Sequence, residues 1–450
     1  MARAKKEAAL TPEERLQAAL VPDWEWPYKL PENWCWTRHN SIMDIVGGAQ
    51  PEKAFFIREP KEGYVQLYQT RDYGENPVPV YIPQKYATKT TDEGDILLAR
   101  YGGSLGKVFR AHKGAYNVAL AKVIILYPEV VDDEFLYLYY YSHFYQDFCI
   151  KAGYGRSAQA GFNKSDLNEL LFPLPPFIEQ QRIVDRIESL FSKLDEAKEK
   201  AQAVVDSFET RKAAILHKAF TGELTAKWRK EHGVGMESWE VRTLDSVCSS
   251  IFDGDHMPPP KAESGIPFLV ISNVNTGHLT FENTRFVPQE YYDTLSDTRK
   301  PQLGDVLYTL VGSFGIPVVV NSKRPFCFQR HMALLRPIDV SPQFLWYILQ
   351  TPEMYDKASS IATGTAQLTV PIKGLRAMTI PRPNIAEQVE IVRILDGFFA
   401  REQSAKEAAE AVLDQIDLMK KSILARAFRG ELGTNDPSEE SAVELLKQLI

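Results

Sequence analysis

Two long stretches of the chain place apolar residues three or four positions apart, which is the spacing of a helix with a coiled-coil seam. The first stretch covers 175–224 and carries Ile187 on its seam, and the second covers 383–432 and carries Leu395. The prolines at 175 and 176 cannot lie inside a helix, and Gly222 is suited to end one. The pattern predicts two helices of about 40 residues, each roughly 60 Å long at a rise of ~1.5 Å per residue.

The two stretches are copies of each other, related without gaps by a shift of 208 residues. Glu179-Gln180 near the start of the first copy recurs as Glu387-Gln388 in the second. Both copies end on the motif Ala-Phe-x-Gly-Glu-Leu, in which Phe220 and Gly222 of the first copy align with Phe428 and Gly430 of the second. A repeat of this period indicates that the chain is built from two similar halves.

The segments 22–174 and 239–382, here called head 1 and head 2, have a mixed character. Short β-like runs alternate with Gly and Pro turns, as expected for strands. The heads are less similar to each other than the helices are. Short motifs recur, such as Gly103-Ser104-Leu105-Gly106 as Gly312-Ser313-Phe314-Gly315, but the sequence between such motifs is little shared. The heads are therefore predicted to share a fold and to differ in their loops.

The predicted fold class is α+β, with two mixed α/β heads separated by an antiparallel pair of long coiled-coil helices in a pseudo-two-fold internal repeat. A coiled coil between two chains is the alternative use of the same seam. The remaining segments are an N-terminal helix over 1–21, with a capping box at Thr11, a polar connector over 225–238, and a tail over 433–450. In the tail, a short amphipathic helix is predicted to open at Pro437.

Composition indicates an ordinary globular protein of more than one domain, with 450 residues, 44% hydrophobic and 25% charged. The net charge of −7 argues against nucleic acid only weakly, because the stretches 98–123 and 306–338 contain basic residues and no acid. Four dispersed cysteines predict reduced thiols, and no apolar run reaches the length of a membrane span. We therefore expect a cytoplasmic protein.

The motifs that resemble catalytic or cofactor sites fail in their details. The loop from Gly102 to Lys107 is one residue short of a Walker loop, and Val108 stands where Ser or Thr would hold magnesium. The GxGxxA match at 153–158 does not follow a strand in a βαβ unit. The histidines show no metal-ligand spacing. We predict no catalytic residue, no metal site and no cofactor in this chain.

What remains is the chemistry of recognition, in which Arg side chains read guanine and Asn or Gln side chains read adenine. Polar loop residues of the two heads form the candidate set, and the Gly-rich turns could either approach phosphate or serve only as hairpin turns. The candidate DNA-binding residues are Gln69, Arg71, Arg100, Tyr101, Gly103, Ser104, Lys107, Arg156, Gln159, His256, Asn273, Asn275, His278, Ser313, Arg330 and Gln367.

With the repeated Pro-x-x-x-Glu-Gln starts and Ala-Phe-x-Gly-Glu-Leu ends, the chain resembles the specificity subunit of type I restriction-modification enzymes over nearly its whole length. The resemblance implies two target-recognition domains that read the halves of a bipartite, asymmetric site in double-stranded DNA. It also implies that 175–224 and 383–432 are the central and distal spacers, which set the distance between the half-sites and dock other subunits. The spacer and docking candidates are Glu179, Gln180, Ile187, Phe220, Gly222, Glu387, Gln388, Leu395, Phe428 and Gly430.

The implied partners are two methyltransferase subunits and restriction subunits. S-adenosylmethionine, ATP and magnesium would then be bound by those partners, and this chain would be the non-catalytic member of a DNA adenine methyltransferase and endonuclease complex. A non-catalytic scaffold that binds proteins through two divergent heads is the alternative. DNA affinity that falls steeply with salt would distinguish the two.

Overall fold

A computed structural model of the protein describes residues 11–154, 161–256 and 258–449. The chain divides into two compact units: unit 1 comprises 1–200 and 411–450, and unit 2 comprises 201–410. Each unit therefore contains one head together with a part of each long helical stretch.

The secondary structure alternates short strands with short helices in the heads and becomes purely helical between them. Through the first head and helix the elements are α1 (Pro12–Ala19), β1 (Cys35–Arg38), α2 (His39–Ile42), β2 (Met43–Gly47), β3 (Tyr64–Tyr68), β4 (Tyr81–Pro83), β5 (Thr90–Thr91), β6 (Ile96–Ala99), β7 (Val108–Arg110), β8 (Gly114–Tyr116), β9 (Leu120–Ile125), α3 (Asp133–Tyr139), α4 (His143–Tyr154), β10 (Leu171–Leu174), α5 (Phe177–Asp206) and α6 (Phe208–Phe220).

The second half follows the same order. Its elements are α7 (Ala226–His232), β11 (Glu240–Thr243), α8 (Leu244–Val247), β12 (Cys248–Asp253), β13 (Ile266–Leu269), β14 (Arg285–Val287), α9 (Gln289–Thr294), β15 (Val306–Thr309), β16 (Pro317–Val319), β17 (Cys327–Phe328), β18 (Met332–Pro337), α10 (Pro342–Leu349), α11 (Pro352–Ile361), α12 (Ile372–Ala377), β19 (Thr379–Arg382), α13 (Ile385–Ala427) and α14 (Ala442–Leu449).

The sheets of the two heads correspond in strand order, except that β5 of head 1 has no counterpart among the described strands of head 2. Head 1 has an antiparallel sheet of order β2-β9-β6-β7, and head 2 has one of order β12-β18-β15-β16. A second sheet, β4-β3-β8-β5 in head 1 and β14-β13-β17 in head 2, contains one parallel pair in each head. A ribbon of β1 with β10, or of β11 with β19, leads into the long helices. The predicted internal repeat of mixed heads is confirmed at the level of topology.

Unit 1 has its core where head 1 meets the start of α5 and the end of α13. Ile183 and Ile187 of α5 lie in one apolar cluster with Leu424 and Phe428. Asp195, further along α5, pairs with Lys420, which precedes Leu424 on α13. Since later residues of α5 contact earlier residues of α13, the two segments run antiparallel within this unit.

Unit 2 repeats this arrangement with the roles of the helices exchanged. Leu216 and Ala219 of α6 lie in one apolar cluster with Ile391 and Leu395 of α13. Arg211 pairs with Glu402 at 2.7 Å. Arg211 and Glu402 both lie at seam positions whose repeat counterparts are apolar. Their opposite charges compensate each other in this partly buried pair. The segments again run antiparallel within the unit.

Several predicted elements differ from the structure at their ends. The first long helix is interrupted at Ser207, where the hydroxyl donates to the Ala203 carbonyl, a bond that bends helices, while the second is continuous over 43 residues. The tail helix begins only at Ala442 because the preceding residues form a turn. At the N-terminus, the predicted capping box is present: Thr11 accepts from the Glu14 amide at 3.2 Å.

Candidate nucleic-acid interface

Head 2 gathers polar side chains from three separate parts of the chain around a cavity of about 400 Å³. Asp253 lies at the end of β12, and its Oδ2 is 2.8 Å from Nε2 of His256. Arg330 lies in the turn between β17 and β18 and is exposed, as is Gln367 from the loop that precedes α12. We call Asp253, His256, Arg330, His331 and Gln367 the head 2 polar cluster.

The electrostatics of this cluster are mixed in sign. Asp253 has a second cation nearby, because Nη2 of Arg299 is 3.8 Å from its Oδ1. Burial and the adjacent Arg330 guanidinium lower the pKa of His331, so this imidazole is neutral at pH 7. The cavity therefore offers a carboxylate, a guanidinium and an amide, which are the groups that read base edges in DNA.

The Gly-rich turn of head 2 borders the same cluster. Gly312 has a φ of +72°, and a Cβ on it would lie 2.9 Å from Nε2 of Gln367. Its amide donates to the Leu368 carbonyl at 3.0 Å, which ties the turn to the loop that carries Gln367. Ser313 at the tip is exposed. The turn joins β15 to β16, so it is a hairpin turn whose tip is open to solvent.

Head 1 has the same frame with different side chains. Arg100 follows β6, donates to the Val118 carbonyl at 3.2 Å, and stacks on Tyr101 with its guanidinium carbon 4.7 Å from the ring centre. Tyr101 forms an antiparallel β-bridge with Gly161, and its hydroxyl donates a hydrogen bond to the side-chain oxygen of Asn163. In head 2 the corresponding bridge joins Val311 to Thr369. The shared frame holds polar and aromatic groups in head 1 where head 2 has apolar ones.

The remaining head 1 candidates lie on nearby loops. Gly103 and Lys107 are exposed in the turn between β6 and β7, and Ser104 is partly exposed. Gln69 follows β3, and its Nε2 has no hydrogen-bond partner among the residues that the structure describes. Arg71 is exposed.

Five predicted positions need separate comment. The prediction of Asn273 as a DNA contact is wrong, because this residue is only 2% exposed. Its side-chain oxygen accepts from the Val270 amide at 3.0 Å, and its side-chain nitrogen donates to the Glu282 carbonyl at 3.0 Å, both within its own loop. Arg156 and Gln159 lie outside the described residues. Asn275 and His278 are exposed but line a different cleft, beside the helical part of unit 2.

The Glu-Gln pair that starts α5 is an internal anchor in unit 1. Glu179 is fully buried and accepts from Nε1 of Trp34 at 2.8 Å and from Asn435 at 2.7 Å. Burial raises the pKa of this carboxyl, and the hydrogen bonds from Trp34 and Asn435 oppose that effect. Gln180 accepts from the Asp132 amide at 2.8 Å and donates to the Val130 carbonyl at 2.7 Å. The pair thus joins the helix start to α3 and to the tail.

Unit 2 uses the second Glu-Gln pair in the same way. Glu387 is fully buried and accepts from Nε1 of Trp239 at 3.0 Å, Thr225 at 2.6 Å and Arg229 at 2.6 Å. Gln388 accepts from the Ser341 amide at 2.9 Å, at the start of α10. In each unit the carboxylate therefore holds the segment that follows the Gly-Glu-Leu end of the other long helical stretch.

The residues of the repeated motifs lie mostly inside the units, and the docking role predicted for them stays a prediction. Phe220 and Gly430 are half-buried, and the other eight are buried. Both glycines are close-packed, since a Cβ on Gly222 would meet the sulfur of Met236 at 2.9 Å and one on Gly430 would meet Pro31 at 2.5 Å. The buried residues are Glu179, Gln180, Ile187, Gly222, Glu387, Gln388, Leu395 and Phe428.

Among the described residues, no helix has the length and apolar character needed to cross a membrane. Nor does that part of the chain bring three His, Cys, Asp or Glu side chains together in an arrangement that could hold a metal ion. The two heads, each with polar loops on a repeated frame, define a two-headed binding protein.

Comparison with known proteins identifies the family. The family model described as type I restriction modification DNA specificity domain matches twice, at 31–205 and 236–413, and the chain belongs to this family. It is a specificity subunit of a type I restriction-modification system. It is similar to the EcoKI specificity subunit of Escherichia coli K12, with 25% identity over 90% of either chain, and to the MjaVIII specificity subunit of Methanocaldococcus jannaschii, with 24% identity over 90% of this chain and 94% of that one.

Solved structures share the fold. A chain from a type I R-M system, studied for complex assembly and conformational transition, superposes with a TM-score of 0.68 at 23% identity, over 90% of this chain and all of that one. The HsdS subunit from Thermoanaerobacter tengcongensis gives a TM-score of 0.61 at 22% identity, over 90% of this chain and 99% of that one.

Proposed function

We propose that this chain reads a bipartite, asymmetric site in double-stranded DNA, with head 1 on one half-site and head 2 on the other. The observation that carries the proposal is the repeated frame with unlike polar groups. Arg100 and Tyr101 stand in head 1 where head 2 has apolar residues, and head 2 instead places Arg330 and Gln367 beside its hairpin turn. Two heads of one fold with different side chains read different sequences.

We further propose that α5, α6 and α13 form one antiparallel coiled coil that fixes the spacing of the half-sites. The antiparallel pairing seen separately in each unit supports this arrangement. The 43 residues of α13 span about 65 Å at ~1.5 Å per residue. That length corresponds to at most roughly 19 base pairs at ~3.4 Å each.

The partners in this proposal are two methyltransferase subunits and the restriction subunits, which bind S-adenosylmethionine, ATP and magnesium. Docking uses apolar side chains that the long helices leave exposed, in place of the buried motif residues. In unit 2 these are Ile385 and Val389, exposed by 50% and 57%, and in unit 1 they are Leu418 and Met419, exposed by 64% and 47%. Because exposed apolar side chains favour burial against a partner, they are suited to protein contacts.

The experiment measures the affinity of the full chain for a random duplex and for its methylated site, with and without the methyltransferase subunits, as salt rises. A DNA reader loses affinity linearly on a double-logarithmic plot, because bound phosphates release counterions. Absence of DNA binding in both states would instead support the protein scaffold. A Leu418→Asp change is expected to weaken assembly with the methyltransferase subunits without unfolding the chain.

A further inference from the structure

Unit 2 contains a cleft of about 770 Å³ between head 2 and the helices, and this cleft is lined by hydrogen-bond donors. It lies between the 275–278 loop and the end of the Gly-rich turn on one side and the residues of α6 and α13 on the other. None of the described lining residues is Asp or Glu, although the whole chain has 59 of them. The polar side chains among the described lining residues include Lys212, Asn275, Thr276, His278, Gln350 and Gln403.

Lys212 is the one lysine among the described lining residues, and within the described part of the chain it has no carboxylate within 4.0 Å. Lys406, whose Nζ is 5.1 Å from the ring centre of Phe208 in the same wall, is paired with Glu410 at 4.0 Å and adds no unpaired charge. An ammonium group without a carboxylate partner among the described residues, in a cleft whose described lining contains no Asp or Glu, favours an anion.

The internal repeat shows that this unpaired charge is particular to one half of the protein. In unit 1 the repeat counterpart of Lys212 is Lys420, whose Nζ is 2.5 Å from Oδ1 of Asp195. The shift of 208 residues places Gln403 where unit 1 has Asp195. The lysine of the repeat is therefore paired with a carboxylate in unit 1, whereas in unit 2 no described carboxylate pairs with it.

The cleft adjoins the surface that faces DNA in the proposed function. Gly312, at one end of the hairpin turn, touches Gln367 of the head 2 polar cluster, and Gly315, at the other end, lines the cleft. The two ends of a four-residue turn are at most ~10 Å apart, which is about three base pairs along a duplex. A duplex read at the cluster thus passes the cleft within a few base pairs.

We propose that this cleft binds a phosphate of the DNA backbone in the unread spacer, close to the half-site read by head 2, with Lys212 as the cation. The inference rests on the proposed function and adds an asymmetric contact to it. Asn275 and His278 supply further hydrogen-bond donors to the same phosphate. Unit 1 makes no equivalent contact, because Asp195 already holds Lys420.

The test compares Lys212→Gln with the matched control Lys420→Gln, each as the full chain assembled with its methyltransferase subunits, on a random-sequence duplex. Losing one phosphate contact lowers the slope of log affinity against log salt by about 0.9. The ratio of wild-type to Lys212→Gln affinity then falls roughly 3.5-fold between 50 and 200 mM salt, which is the same slope expressed as a ratio. Lys420→Gln is expected to keep the wild-type slope.

Gln403→Asp provides an independent variant that keeps the lysine. It copies the ion pair of unit 1 into unit 2, so it is expected to reduce the slope as Lys212→Gln does. Thermal unfolding of each variant confirms that it folds.

Three results would overturn the phosphate site. The slope of Lys212→Gln could equal that of the wild type, or Lys420→Gln could reduce the slope equally. Alternatively, Lys212→Gln could weaken assembly with the methyltransferase subunits in the absence of DNA and leave the slope unchanged, which would identify an acidic protein surface as the occupant. Wild-type protein that binds no DNA at any salt would instead refute the proposed function itself.

Discussion

The buried carboxylates at the starts of the two long helices allow a matched comparison of stability. Glu387→Ala removes the carboxylate that pairs with Arg229, whose side chain is only 9% exposed. An uncompensated buried charge costs about 3–5 kcal/mol. Glu179→Ala removes an acceptor whose donors are the neutral Trp34 and Asn435. Leaving neutral donors unsatisfied costs about 1–3 kcal/mol, so the Glu387 variant is expected to be less stable by about 2 kcal/mol.

The assay is urea unfolding followed by tryptophan fluorescence, because Trp34 and Trp239 each donate to one of the two carboxylates. A double variant, Glu387→Met with Arg229→Met, serves as the control. It is expected to recover much of the lost stability, since a buried ion pair can be replaced by apolar residues at little net cost. Equal destabilisation by the two single variants, or a double variant no more stable than Glu387→Ala, would refute the electrostatic account.

Two further predictions concern the helices and pH. Ile187→Asp or Leu395→Asp, each placing a carboxylate at a fully buried seam position, is expected to cost several kcal/mol and to abolish site recognition; recognition that survives would contradict the spacing role. His39 is fully buried, and burial lowers its pKa to about 4. Its neutral form stabilises the fold above pH 6.5, and about 2 kcal/mol is lost on acidification to pH 5. His39→Leu introduces the residue that head 2 has at the equivalent buried position, Leu244. The midpoint of urea denaturation is expected to change less between pH 7 and 5 in this variant than in the wild type. An unchanged pH dependence would contradict the role given to the buried imidazole.

Much of the fold was predictable because its signals are periodic and local. The seam, the capping box at Thr11 and the repeat of Glu-Gln and Gly-Glu-Leu motifs are all visible within short windows. The break at Ser207 was missed, because a serine is tolerated inside helices and its bond to Ala203 depends on the local packing. The pairing of Arg211 with Glu402 became visible only with the antiparallel register, although both were evident as exceptions to the seam.

The candidate sites were less predictable, because burial depends on residues that are distant in sequence. The sequence predicts Glu179 and Glu387 as docking candidates. Their burial depends on Asn435 and Arg229, which come from the segments that follow the other long helical stretch. Asn273 had the right chemistry for adenine, but its own loop uses its amide. The sequence does carry a signal for Lys212, because Asp195, which pairs with its repeat counterpart Lys420, is replaced by Gln403 in the second copy.

The central claim is that each head reads one half of a bipartite site. The most direct measurement is methylome sequencing of cells that carry the intact system, with the wild-type chain and with an Arg330→Ala, Gln367→Ala variant of head 2. The account predicts a methylated motif of two short specific halves separated by an unread spacer, with only one half relaxed or lost in the variant. A continuous motif, or a variant that alters both halves alike, would contradict it.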